Sequence, residues 1–207
     1  IYNLIRHHLA LHPDHIIAAT DKSSAFQRCS RAEMRRQLLA EFPELLPYFE
    51  LVYSEAADLH YEGRRLKSEH GVQQGCSIGT LAYCLCDRRR IAKLIENNKN
   101  VTILCFVDDI FMLGEPEAVA KAFREWEKAT TDACEKPNIG KCVAWAQKPA
   151  VTRAAEEALP AGMLRVGTAK ERVLPPAELL SGLKILGHPL GTDDFCRQFF
   201  ANKAAKT

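Results

Sequence analysis

Two adjacent carboxylates between apolar runs constrain the fold of this chain more than any other feature. The segment LCFVDDIFMLG has Asp108 and Asp109 at its centre. Burying a carboxylate is costly unless another group compensates its charge. The apolar run on each side has the length and composition of a buried β-strand. We therefore predict a hairpin of two buried strands, 101–106 and 110–114, with the aspartates at its tip, residues 107–109.

A third carboxylate ends another apolar run. HIIAAT, residues 15–20, predicts a buried strand, and Asp21 follows it directly. Taken singly, Asp21 also suits a helix cap, and Asp108-Asp109 also suits a tight turn. Together they suit a divalent cation, because Mg²⁺ takes hard oxygen ligands and offsets the repulsion between carboxylates. We predict that Asp21, Asp108 and Asp109 hold two Mg²⁺ ions, with Mn²⁺ as an alternative, as in two-metal phosphoryl-transfer sites.

The order of elements predicts an α+β fold, in which long helices cover one face of an antiparallel sheet. Ser30 and Glu33 match the capping-box pattern at the start of one helix. The predicted helices are 30–42, 43–53, 80–98 and 115–134; the predicted strands are 15–20, 101–106, 110–114 and 141–147; residues 57–71 form a hairpin and 183–191 a strand and turn. Pro175-Pro176 marks a break.

Composition excludes several classes of protein. Of 207 residues, 47% are hydrophobic and 26% charged, which argues against disorder, and the net charge of +2 does not by itself indicate nucleic acid. Because no apolar run approaches the length of a membrane span, we expect no membrane partner.

Eight cysteines lack zinc-site spacing and predict buried free thiols in a reducing, intracellular compartment, nucleus or cytoplasm. The histidines show no metal-site spacing. The chain begins without Met or a signal peptide, so we expect a fragment of a longer polypeptide.

Five motifs in order resemble the palm of a reverse transcriptase, in particular that of non-LTR retroelements. They are TDKSSAFQRCSR, GVQQGCSIG, FVDD, PNIGKCVAW and LKILGHPLG, and together they cover residues 15 to 192. The resemblance implies a polymerase palm with a ferredoxin-like or RRM-like core. It also implies that residues 1–207 form one palm domain, with most of the fingers preceding residue 1 and the thumb truncated after about residue 192.

The resemblance assigns roles to individual residues. Asp21, Asp108 and Asp109 would be the catalytic metal ligands. The ring of Phe26 would pack under the incoming sugar and leave no room for a 2′-hydroxyl, which implies deoxynucleotides. The nucleotide-binding residues would be Ser24, Ala25, Phe26, Gln74, Gly75 and Lys141, and the primer contacts would be Val107, Leu186, Gly187 and His188.

The implied activity is RNA-directed DNA polymerisation, in which two metal ions assist nucleotidyl transfer from a dNTP to a primer 3′-hydroxyl. The implied partners are an RNA template, a DNA or RNA primer, dNTPs, and the fingers and thumb segments of the parent chain. The sequence departs from the family pattern at Gln27, Ser77 and Thr80, none of which is a metal ligand.

Three alternatives remain open from the sequence. Phe26 and the Gln74-Gly75 pair argue against an RNA-dependent RNA polymerase palm. A nucleotide cyclase would need a Gly-Gly-acidic signature that the chain lacks. A decayed or domesticated palm that binds nucleic acid as a scaffold is disfavoured by the presence of all three aspartates.

Overall fold

The computed structural model describes residues 1–163 and 182–205. The predicted break at Pro175-Pro176 lies outside these residues. The chain divides into two compact units. The first, called here the sheet unit, comprises Ile1–Asp21, Asn97–Glu127 and the described part of Asn138–Thr207. The second, called the helical unit, comprises Lys22–Glu96 and Lys128–Pro137.

Helices and antiparallel strands follow one another in the mixed order that the sequence predicts, so the α+β class is confirmed. The helices are α1 Tyr2–Leu11, α2 Ala25–Arg28, α3 Arg31–Glu41, α4 Leu46–Tyr53, α5 Gly79–Asn97, α6 Pro116–Asp132, α7 Pro149–Ala158 and α8 Asp193–Ala204, with a 3₁₀ turn at Pro43–Leu45. The strands are β1 Ile16–Thr20, β2 Ala57–Tyr61, β3 Arg64–Ser68, β4 Thr102–Phe106, β5 Asp109–Gly114, β6 Val143–Ala146, β7 Gly182–Ile185 and β8 His188–Gly191.

The sheet unit contains a four-stranded antiparallel sheet in the order β4-β5-β1-β6. The two central strands are the ones that lead to the predicted aspartates. β1 pairs with β5 from Ile16 opposite Gly114 to Thr20 opposite Ile110. Because both strands have neighbours on each side, their backbone groups are paired within the sheet, which fixes their register.

The prediction that both strands of the aspartate hairpin are buried is wrong for β4. β5 is buried after its first residue, whereas β4 is partly buried at its centre and exposed at its ends. Phe106, its last residue, is 53% exposed. The two strands differ because β4 lies at the edge of the sheet, with a neighbouring strand on one side only, whereas β5 lies between two strands. The predicted tip is also one residue too long, since Asp109 already pairs with Phe106 as the first residue of β5.

One face of the sheet packs against a helix that the sequence analysis did not assign. Ile5 and Leu9 of α1 are fully buried, and they join a core with Ile17 of β1. The other buried members of this core are Phe111, Leu113, Trp145, Leu183, Ile185 and Leu190. Ile5 and Leu9 stand four residues apart, the spacing of one helix face, so the signal for α1 was present in the sequence. Helices α7 and α8 were also not assigned.

The predicted start of α3 is confirmed, but only half of the capping box forms. The Ser30 Oγ accepts a hydrogen bond from the Glu33 backbone N–H at 3.2 Å. The Glu33 carboxylate accepts instead from Arg36 and Gln37 on the same helix. The cap therefore satisfies one free N–H of the first turn through the serine alone.

None of the eight cysteines, all of which lie in the described residues, forms a disulfide, as predicted, but burial is less general than expected. Cys29, Cys86 and Cys142 are buried, Cys134 is exposed, and the rest are partly buried. Within residues 1–163 and 182–205, none of the helices combines the length and the apolar character needed to cross a bilayer.

Candidate active site

The strand register brings the three predicted aspartates to one end of the sheet. Thr20 is opposite Ile110, so the next residue of the first strand, Asp21, lies beside Asp109. Asp108 precedes Asp109 in the two-residue turn between β4 and β5. All three residues are partly buried. Asp21 and Asp109, which are 88 positions apart in the sequence, therefore lie side by side because β1 ends and β5 begins at the same end of the sheet.

The turn that carries Asp108 has a strained backbone. Val107 has a φ of +58°, a left-handed conformation that is rare for a β-branched residue. Five non-glycine residues in the described part of the chain have positive φ: Ser24, Glu62, Val107, Cys134 and Leu186. Three of these, Ser24, Val107 and Leu186, are residues that the sequence analysis assigned to the site. Strain of this kind concentrates at functional positions.

The carboxylates are electrostatically uncompensated. Burial raises the pKa of Asp109, and the neighbouring charges of Asp108 and Asp21 raise it further. The Oδ2 atom of Asp21 is buried without a hydrogen-bond partner. A buried acceptor without a donor costs free energy, and so does repulsion between like charges. A bound cation would relieve both, so the donor chemistry of this group fits Mg²⁺ or Mn²⁺.

The side chains as oriented do not form a closed cage. Across residues 1–163 and 182–205, no three His, Cys, Asp or Glu side chains are grouped closely enough to hold a metal ion. The fit therefore rests on backbone placement, hard oxygen donors and the unpartnered Oδ2 of Asp21. Metal binding would require the carboxylates to turn toward one another.

A loop of the sheet unit holds the backbone of Asp21. The Asn138 N–H donates to the Asp21 carbonyl at 2.9 Å, and the Asp21 N–H donates to Cys142 Sγ at 3.3 Å. Burial raises the pKa of Cys142 to about 11, so the sulfur stays a neutral thiol at physiological pH. The predicted Lys141 lies on this loop and is exposed. Cys142 was missed, although it follows Lys141 directly in the fourth motif.

The predicted primer residues near the end of the chain form a tight turn. Leu186 and Gly187 connect β7 and β8 with φ values of +46° and +85°. The next residue, His188, lies beside the ring of Tyr2, with ring centroids 5.2 Å apart. The Tyr2 hydroxyl donates to the Pro189 carbonyl at 2.6 Å. Tyr2 therefore supports this turn, and it was missed because it lies outside the five motifs.

Apart from Lys141, the predicted nucleotide-binding residues lie on two segments of the helical unit that are hydrogen-bonded to each other. Ser24 has a φ of +53° and starts the short helix that contains Ala25 and Phe26. The Val72 N–H donates to the Phe26 carbonyl at 2.9 Å. At Gly71 a Cβ atom would lie 2.2 Å from that same carbonyl, so the close approach requires glycine. These contacts bring the loop of Gln74 and Gly75 beside Phe26.

A cavity of about 450 Å³ opens on this pair of segments. Gln27 contributes from the Phe26 segment, and Val72 and Gln74 contribute from the loop. Lys67 of β3 also lines it. The cavity is therefore flanked by a predicted nucleotide-binding residue, by Gln27, which departs from the family pattern, and by a cation.

Arg31 holds the same loop and was not assigned a role from the sequence. Its Nε donates to the Gly71 carbonyl at 2.8 Å, and its terminal nitrogen donates to Ser68 Oγ at 3.1 Å. The guanidinium also lies 5.1 Å from the centre of the Tyr53 ring. The sequence did contain a signal for this role, because Arg31 is the last residue of the first motif, TDKSSAFQRCSR.

Three histidines of the sheet unit lie close together, although their spacing did not indicate a metal site. His8 Nε2 lies 2.9 Å from His15 Nδ1, and the ring of His12 stacks on that of His15 at 4.6 Å. Burial and mutual repulsion lower the pKa values of His8 and His15. These rings were not among the predicted site residues.

No family model matches the chain, and no curated protein matches it. Solved structures do. A solved structure of apo telomerase from Candida tropicalis aligns with a TM-score of 0.53 and 12% identity, over 72% of this chain and 31% of that chain. Telomerase is a reverse transcriptase. This chain has a reverse-transcriptase-like fold.

A second telomerase structure from the same organism, truncated from the C-terminal domain, aligns with a TM-score of 0.48 and 15% identity, over 69% of this chain and 33% of that chain. The chain thus spans about a third of the length of the solved chains it matches. At 12% identity, the alignment with a TM-score of 0.53 concerns the fold alone, and that fold agrees with the expected palm. It does not distinguish non-LTR retroelements from other reverse transcriptases.

Proposed function

We propose that this chain is the catalytic palm of an RNA-directed DNA polymerase from a retroelement. Its reaction is nucleotidyl transfer from a dNTP to the 3′-hydroxyl of a DNA or RNA primer on an RNA template. The observation that carries the proposal is the meeting of Asp21, Asp108 and Asp109 at one end of the sheet, in a chain with a reverse-transcriptase-like fold.

Asp21, Asp108 and Asp109 would hold two Mg²⁺ or Mn²⁺ ions. Such ions lower the pKa of a hydroxyl nucleophile and stabilise negative charge that develops on phosphate oxygens. The raised pKa of Asp109 and the unpartnered Oδ2 of Asp21 support this role, because both describe carboxylates that lack a counter-charge. The rigid central strands limit the motion of these ligands, as a metal site requires.

Phe26 would select deoxynucleotides by filling the space of a 2′-hydroxyl. Phe26 is partly exposed, so part of the residue remains accessible to a ligand. Ser24 and Ala25 would offer backbone amides to the triphosphate, and the left-handed backbone at Ser24 supports a special turn there. Gln74 and Gly75 would complete the nucleotide contacts beside the cavity.

Lys141 would neutralise the leaving pyrophosphate, and because the residue is exposed its ammonium group is accessible. The primer end would contact the two strained turns, at Val107 and at Leu186–His188. Turns with fixed positive φ values keep their backbone in one conformation, which suits the placement of a primer strand.

The test is primer extension by the full-length polypeptide that carries this sequence. The substrates are poly(rA) with an oligo(dT) primer, dTTP, and Mg²⁺ or Mn²⁺. We expect dTTP incorporation by the wild type and its abolition by Asp108→Asn, since a carboxamide is a poor ligand for these hard cations. Asp132→Asn at the exposed end of α6 is the matched control and should retain activity. An active, correctly folded Asp108→Asn variant would refute the assignment.

A nucleic-acid-binding scaffold without polymerase activity is the second candidate. One observation favours it, namely that the carboxylates as oriented do not form a three-ligand group in the described part of the chain. The same assay separates the two. Binding of the poly(rA) duplex without extension in either metal supports the scaffold.

A further inference from the structure

The ring of Phe26 rests on a second aromatic ring inside the helical unit. Phe26 and Tyr83 are stacked, with ring centroids 4.7 Å apart and an interplanar angle of 22°. Tyr83 is fully buried in α5, whereas Phe26 is partly exposed. One face of Phe26 is therefore covered by Tyr83, so the position of the exposed ring depends on the buried one.

Tyr83 in turn contacts a buried cluster of charges. We call Lys22, Asp87, Arg90 and Glu135 the charge cluster. Lys22 Nζ lies 2.6 Å from Asp87 Oδ2 and 3.0 Å from Glu135 Oε2, and Arg90 pairs with the same two carboxylates at 2.8 and 2.5 Å. The side chains of Lys22, Asp87 and Glu135 are each no more than 4% exposed. Two cations and two anions balance, as burial at this depth requires.

The charge cluster fixes the tyrosine hydroxyl. Lys22 Nζ donates to the Tyr83 hydroxyl at 3.4 Å, and that hydroxyl donates to Asp87 Oδ2 at 3.5 Å. Lys22 Nζ also lies 5.6 Å from the centre of the Tyr83 ring. A buried ring tethered at its hydroxyl and covered on its face cannot tilt freely. Phe26 consequently rests on a rigid support.

We propose that Tyr83 is a positioning residue for sugar selection, holding the Phe26 ring at the height that excludes a 2′-hydroxyl. Tyr83 does not touch the nucleotide in this scheme; it acts through Phe26. The inference rests on the proposed function, because it presupposes that Phe26 meets the incoming sugar.

The test measures kcat/KM for dTTP and for UTP on poly(rA)–oligo(dT) with the full-length polypeptide. Tyr83→Leu removes the stacking ring, so we expect dTTP-over-UTP selectivity to fall about tenfold, which corresponds to about 1.4 kcal/mol. The change should come mainly from a lower KM for UTP, with kcat for dTTP little changed. Phe26→Val should lower selectivity in the same direction. Tyr83→Phe keeps the stacked ring and should retain most of the selectivity.

Phe49→Leu is the matched control for lost stability. Phe49 is a buried ring of the same unit, 2% exposed, and it packs on Tyr53. It should lower the unfolding midpoint about as much as Tyr83→Leu while leaving selectivity unchanged.

The outcomes separate the two proposals. No dTTP incorporation by the wild type overturns the proposed function itself. Incorporation with unchanged selectivity in Tyr83→Leu, or an equal loss in Phe49→Leu, overturns only the role of Tyr83. If Tyr83→Leu is insoluble, Tyr83→Met offers an unbranched side chain that adapts to irregular space, and it is judged by the same criterion. Failure of both to fold also counts against the proposal, because Tyr83 would then serve stability alone.

Discussion

At the scale of single residues, the site is built from groups that are costly to the fold. Asp109 is partly buried beside two other carboxylates, and its pKa is raised. Its charged form is therefore less favourable in the folded chain than in the unfolded one. This cost agrees with the proposed role of Asp109 as a metal ligand, in which a cation offsets the charge.

Asp109→Asn should stabilise the metal-free protein at pH 7 and abolish primer extension. The folded-state pKa of Asp109 is raised, so the folded protein binds a proton more readily than the unfolded chain. The penalty is present at neutral pH and disappears as the pH falls through the folded-state pKa. The advantage of the variant should therefore shrink toward acid pH, as measured by urea unfolding at a series of pH values.

Asp132→Asn serves as the control for this measurement, because its exposed pair with Lys128 contributes little to stability. Added Mg²⁺ should raise the unfolding midpoint of the wild type more than that of Asp109→Asn. A variant less stable than the wild type at pH 7 without metal would contradict the account.

At the scale of elements, the turns of the hairpins carry the strain. β4 and β5 are joined by a turn in which Val107 has a φ of +58°, and β7 and β8 by a turn that begins at Leu186 with a φ of +46°. The β2–β3 hairpin has the same feature at Glu62, with a φ of +46°. Only the first two turns belong to the candidate site, so the third offers an internal comparison.

Val107→Asn should stabilise the protein by about 0.5–1 kcal/mol, because asparagine tolerates the left-handed region better than a β-branched residue. The same change should weaken primer extension, since Val107 is the proposed contact for the primer end. Glu62→Asn is the matched control, which should gain stability with activity unchanged. Stability and activity that rise together in Val107→Asn would show that the strained turn serves no function.

At the scale of the whole chain, each unit is formed by segments that are distant in sequence and pack together. Lys22 directly follows the first segment of the sheet unit, Asp87 and Arg90 lie in α5, and Glu135 lies after α6. The charge cluster joins these three parts of the helical unit. Separating these segments would leave buried charges without a partner, so the ion pairs specify one arrangement of the segments.

Lys22→Met should destabilise the protein by about 3–5 kcal/mol, because it leaves two buried carboxylates with a single cation. The double variant Lys22→Met with Asp87→Leu restores charge balance through the remaining Arg90–Glu135 pair and should recover part of the loss. Urea unfolding of Lys22→Met, of Asp87→Leu and of the double variant measures the coupling. A double variant at least as unstable as the sum of the single changes would contradict the role of charge balance.

Much of the fold was accessible from local patterns. Ser30 predicted the start of α3, and the glycine between short alternating arms predicted the β2–β3 hairpin, because caps and tight turns depend on residues close in sequence. Helix α1 was not assigned, although Ile5 and Leu9 carried its period. The edge position of β4 was not predictable in this way, because the apolar residues of a strand do not indicate how many neighbouring strands it has in the sheet.

The sequence by itself determined the three aspartates, the order of the motifs and the chemistry that hard oxygen ligands imply. Only the tertiary structure decided that Asp21 lies beside Asp109, that Cys142 and Arg31 hold the site segments, and that Phe26 rests on Tyr83 above a buried charge cluster. The reason is that local composition sets which elements form. Contacts between residues 40 or more positions apart depend on strand order and packing, which short patterns do not encode.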